Sequence, residues 1–178
     1  MTANLTPTRE DYLIAWLSAA AIMVHIFEGA IPTILPGFKP GLANIITITV
    51  MCVYGFRIAA WVSVMRVLVG SMLIGTFLSP TFFLSASGAL SSLFVLWLVS
   101  RLPQQPFSAV GLSLLAAIAH MTGQFMCAYL LFIPHHGLWQ LFPVMMTVAV
   151  ILGIFNGIIS HKLVHRLTPA DHQRLRGG

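Results

Sequence analysis

Acidic residues are nearly missing from this chain. Glu10, Asp11, Glu28 and Asp171 are the only ones in 178 residues, and charged residues of all kinds make up 7%. Soluble domains carry about 25% charged residues, so a water-facing globular surface is excluded over most of the length. No pair of carboxylates lies inside an apolar run. Hard-cation sites on diphosphates need several oxygen ligands, and the chain has no aspartate-rich motif to supply them. It also has no glycine-rich phosphate loop ending in Gly-Lys, so it cannot hold ATP in that way. Cysteine is scarce too. Cys52 and Cys127 both fall in apolar runs and are expected to be small packing residues. The first residues, MTANLTPTRED, carry both signs of charge. They do not form the basic leader of a signal peptide, so the first apolar run is expected to be retained.

What remains is hydrophobic: 58% of residues, with a mean hydropathy of +0.92. That is the composition of an all-α integral membrane protein. The length accommodates about six transmembrane helices of ~20 residues. They are expected at residues 12–28, 42–54, 58–78, 82–100, 107–133 and 138–163, the fifth being the longest. A cytoplasmic N-terminal segment (1–11), one six-helix membrane domain (12–163) and a basic cytoplasmic tail (164–178) complete the expected organisation. Thr8 with Asp11 three residues on marks the first helix start. Gly153 and Gly157 form a GxxxG pair that predicts close packing.

Between the first two runs lies IPTILPGFKPGLAN, residues 31–44. Three prolines within nine residues forbid a continuous helix there. Near a membrane such backbone must be buried by protein or reached by water. The stretch is either a shaped loop over a cavity or a short connector.

Basic residues set the expected orientation. With the N-terminus in the cytoplasm, Arg9, Arg57, Arg101, Lys162, Arg166, Arg174 and Arg176 all fall inside and only Lys39 falls outside. This is a positive-inside pattern with both termini cytoplasmic. The net charge of +5 then reflects topology and contact with membrane lipids, and no nucleic acid is implied.

The remaining polar residues gather from mid-membrane outward. Arg66 lies deep in the third run, His120 and Gln124 share a face of the fifth, and Ser85 lies in the outer part of the fourth. Glu28, Lys39 and Asn44 flank the proline-rich loop. An ionisable side chain inside a span is costly and by default marks a site. Arg66, His120 and Gln124 are the expected floor of an outward-facing cavity, with Glu28, Lys39 and Asn44 on its lid side. The competing expectation is a structural polar knot. Most of the span-four serines are expected to bond their own helix backbone. His135 and His136 adjoin in a turn but lack a third ligand, so no metal and no cofactor is expected.

Glu28, IPTILPGFKPGLAN, YGFRIAAWVSVMRVLVG, LSPTFFLSASGALSSL and FSAVGLSLLAAIAHMTGQ, in that order, resemble the family named heptaprenyl diphosphate synthase component I, also called Gx transporter. The resemblance runs from about residue 22 to 157. It is grouped with the substrate-binding S components of energy-coupling factor (ECF) transporters, which implies a six-helix S-component-like bundle in the bacterial cytoplasmic (inner) membrane. It further implies capture of a small molecule, with a T component and two ATPases as partners. Ala15 and Ala19 resemble the small-residue face by which S components dock. The family name implies the alternative: an accessory membrane subunit of quinone, flavin or isoprenoid metabolism that binds a lipidic ligand without its own catalysis. A third reading, an integral enzyme component acting on prenyl diphosphate, lacks the acidic motifs it would need.

Overall fold

The computed structural model describes residues 8–30, 43–103 and 107–175. Among them are six α-helices and no strand: α1 (Arg9–Ala30), α2 (Ala43–Tyr54), α3 (Phe56–Ile74), α4 (Pro80–Ser100), α5 (Ala109–Cys127) and α6 (Leu138–Leu175). Five of them are long and apolar enough to cross a membrane. The exception is α2, where a sixth span was expected. Its 12 residues reach about 18 Å, against a hydrocarbon core of about 30 Å.

Local chemistry sets the boundaries. Thr8 and Asp11 close the start of α1 reciprocally: Thr8 N–H and Oγ–H donate to Asp11 Oδ2 at 2.8 and 2.7 Å, and Asp11 N–H donates to Thr8 Oγ1. α3 stops at Ile74, four residues before the expected end. Gly75 takes a left-handed conformation at φ 75°, its N–H reaching Met72 O while Thr76 N–H reaches Ser71 O. That is a Schellman ending, which satisfies the last carbonyls of the helix. Ser79 accepts from Phe82 N–H to cap α4, with Pro80 in its first turn, and Ser108 accepts from Gly111 N–H to cap α5. Beyond Cys127, α5 continues as a π-helical turn, Ala128–Phe132. α6 displaces the fifth run as the longest helix. Its 38 residues extend about 57 Å, so the backbone from residue 164, expected as a tail, is helical to Leu175.

The helices pack in the circuit α1–α3–α4–α5–α6, and α2 touches α1, α3, α5 and α6. The short helix is thus the inner one, and Thr47, Ile48, Thr49 and Val50 are buried in succession. Two core clusters meet on it. Ile48 packs with Leu96, Val99, Ala109, Leu112 and Ala116 of α4 and α5, while Val50 packs with Ala21, Ala59 and Val62 of α1 and α3. Hydroxyls tie it down: Thr49 Oγ–H donates to Ile45 O at 2.7 Å, and Ser160 Oγ–H of α6 donates to the same carbonyl at 3.1 Å.

Helix association in lipid relies on close approach and interhelical hydrogen bonds. The α5–α6 contact has both. Ser113 Oγ–H donates across to Gly153 O at 2.8 Å, and Gly157 lies so close to α5 that an added Cβ would stand 2.7 Å from Val110 Cα. The obstacle is backbone, so the helices would have to separate. Gly157→Ala is therefore expected to lower stability by about 1–3 kcal/mol, visible as a reduced melting temperature in detergent. An unchanged melting temperature would contradict this packing.

Candidate functional site

The inward stripe of α3 is Ala59, Val62, Ser63, Arg66, Val67, Gly70 and Ser71, recurring at three- and four-residue steps as a one-sided helix requires. Arg66 belongs to that stripe, midway along the helix and only 5% exposed. It faces the bundle rather than lipid.

Two glycines bring polar rings to it. A Cβ on Gly70, one turn beyond Arg66, would lie 2.9 Å from Cδ2 of His25; the α1 histidine, 6% exposed, is seated over that gap. A Cβ on Gly88 of α4 would lie 2.8 Å from Cγ of Gln124 and from Cε1 and Nε2 of His120. The α5 pair thus shares one notch in α4, and the His120 ring is within hydrogen-bonding reach of the Gly88 backbone. Arg66 and His25 are both near enough to act on His120 electrostatically. The result is a cluster of His25, Arg66, His120 and Gln124 contributed by α1, α3 and α5, floored by α4. Its His120 Nδ1 and Ser63 Oγ are buried without a hydrogen-bond partner among the described residues. Such a cluster offers a guanidinium donor, an amide and two imidazoles in a low-dielectric setting. There, hydrogen bonds to charged groups are shorter and stronger than neutral ones.

The sequence-predicted residues divide as follows. Arg66, His120 and Gln124 all belong to the cluster. Asn44 is buried in the first turn of α2, the helix that adjoins α1, α3 and α5. Ser85 is half-buried, three residues from Gly88 on the same helix. Lys39 and the Glu28 side chain lie outside the described residues. His25 is not among the residues expected from the sequence; its membership depends on α1 lying beside α3. Gly70 and Gly88 carry no chemistry of their own, and their only sequence signal is a small residue on an inward face.

Other surfaces flank the cluster. Ala15 and Ala19 are exposed and line a groove of about 770 Å³ between α1 and α3, together with Ser18, Trp61 and Met65. A second groove of about 910 Å³ lies along α4 and α5, lined by Ser87, Phe94, Ile118, Thr122 and Met126 among others. Ser91 sits against Gly123 on that seam. Ser87 and Ser92 bond the carbonyls of Leu84 and Ala89 in their own helix. His135 is occupied locally, its Nδ1 accepting from Gly137 N–H at 3.0 Å. Among the described residues no three of His, Cys, Asp or Glu converge, so the described part holds no ligand set for a magnesium–diphosphate centre.

Apolar helices of spanning length around an enclosed polar cluster define a multi-pass membrane protein with an internal polar site. Residues 17–163 match the family model described as heptaprenyl diphosphate synthase component I, and the chain belongs to that family. No curated protein and no solved structure matches it.

The Gly88 notch is testable by itself. Gly88→Ala is expected to push His120 and Gln124 out of register and to cost about 1–3 kcal/mol, read as a lower melting temperature in detergent. A variant as stable as wild type would mean that the two side chains do not rest on α4 as described.

Proposed function

We propose that this chain is a membrane-embedded substrate-binding subunit, S-component-like, which takes up or handles a small molecule through a cavity opening outward. The observation that carries the reading is the meeting of His25, Arg66, His120 and Gln124 from three helices. Arginine at the middle of a span costs at least ~2.5 kcal/mol on insertion scales. A wet, ligand-accepting cavity offsets that cost and uses it. Arg66, His120 and Gln124 are the floor, Ser85 adds to the wall, and Glu28, Lys39 and Asn44 form the lid side. The chain works without catalysis of its own and without ATP binding, so its activity depends on partners. The exposed Ala15–Ala19 face with its groove supports docking of a T component or another membrane subunit there.

A second reading has specific support. The family name implies a synthase partner, and the apolar groove along α4 and α5 suits a prenyl or quinone chain. In this reading the protein is the accessory membrane subunit that presents a lipidic ligand. Binding measured against vitamins on one side and quinones and prenyl diphosphates on the other separates the two.

Arg66→Gln decides between a ligand site and a structural knot. The variant is expected to insert, to keep its melting temperature within a few degrees, and to lose the molecule that co-purifies with wild type, as seen by native mass spectrometry. Retention of that molecule at wild-type affinity would overturn the site.

The proposed setting is the bacterial cytoplasmic membrane with both termini inside, which requires the chain between α1 and α3 to recross the membrane; the 3.7 Å approach of Arg57 to Glu10, which brings the starts of α1 and α3 to one end, supports this. In a background lacking Cys52 and Cys127, Lys39→Cys should label from outside the cell and Arg101→Cys only after permeabilisation. The reverse at either position would overturn the orientation.

A further inference from the structure

The two ring nitrogens of His120 are in different situations. Nε2 is the nitrogen that abuts Gly88, whose backbone is within hydrogen-bonding reach of the ring, whereas Nδ1 has no partner among the described residues. A backbone carbonyl only accepts, so Nε2 carries the hydrogen. In the neutral ring Nδ1 then presents a lone pair. That lone pair is buried, and a buried polar atom left unmatched is rare and costly. Arg66 is near enough to act on His120 electrostatically and can only donate. The site therefore pairs a donor with an acceptor.

We propose that His120 Nδ1 accepts a hydrogen bond from the bound molecule, whose head group carries an O–H or N–H beside the oxygen taken by Arg66. This rests on the ligand-binding reading above. Head groups of this class include a dihydroxy aromatic ring and a lactam ring. A quinone or an ionised diphosphate presents acceptors alone and leaves Nδ1 unmatched.

The test uses the full chain in lipid nanodiscs under anaerobic conditions. Two matched probe pairs are compared: menadiol with menadione, and lumichrome with its N-methylated derivative. Geranyl diphosphate serves as the acceptor-only probe. The donor-bearing member of at least one pair is expected to bind about tenfold or more tightly, the scale of one unmatched buried group. His120→Phe should remove that difference, and Arg66→Gln should weaken both members. Equal binding within both pairs, a difference that survives His120→Phe, or binding of geranyl diphosphate alone would overturn the donor assignment and leave the ligand site standing. Failure of every probe to bind would overturn both. Nitrogen-15 spectra of labelled His120 give a readout independent of binding and of how the variants fold. Nε2 should be protonated and Nδ1 bare in the free protein. A protonated Nδ1, or one that stays hydrogen-bonded to water when a donor-bearing probe binds, would overturn the proposal.

Discussion

An arginine in the middle of a membrane helix cannot be left to the lipid, and the surrounding structure answers to that constraint. Desolvating a guanidinium is costly on every scale, and α3 meets the cost by rotating Arg66 into the bundle. Two consequences follow. The neighbouring helices must supply polar groups at that depth, and they must come close enough for those groups to act. Gly70 and Gly88 provide the closeness: each removes one side chain where a histidine ring from another helix has to sit. Substituting either glycine therefore acts on the polar cluster without touching a polar residue.

The second constraint is the short inner helix. A 12-residue segment cannot cross a bilayer alone, and its backbone termini would be exposed to hydrocarbon if it stood at the periphery. Enclosure by α1, α3, α5 and α6 removes that problem. The hydroxyl of Ser160, donating to Ile45 O, ties its first turn to α6. Because both core clusters share α2, the α1–α3 half and the α4–α5 half are held to a common element. The polar cluster, which draws on both halves, inherits its geometry from that element.

Much of this was legible in the residues. Polar side chains within apolar runs marked Arg66, His120 and Gln124, and the GxxxG pair marked the α5–α6 contact. What failed has physical causes. Residues 42–54 have the apolarity of a span but not its length. The last span was expected to end at residue 163, although a helix can leave the bilayer and continue in water. Gly75 was hidden in an apolar stretch, so α3 was drawn too long. His25 was missing from the expected site, because its place depends on α3. Which helix lies beside it is a tertiary fact that no spacing contains.

The arrangement of the α4–α5 seam bears on how a molecule would reach the cluster. Ser91 fills the space over Gly123, and Ser87 and Thr122 turn their hydroxyls back to their own helices. The seam is therefore packed, with the apolar groove on its outer side and the His120–Gly88 contact on its inner side. On α5, Ala119, Thr122, Gly123 and Met126 face the groove, while His120 and Gln124 face the Gly88 notch. Lateral entry from that groove would require α4 and α5 to separate at their closest approach.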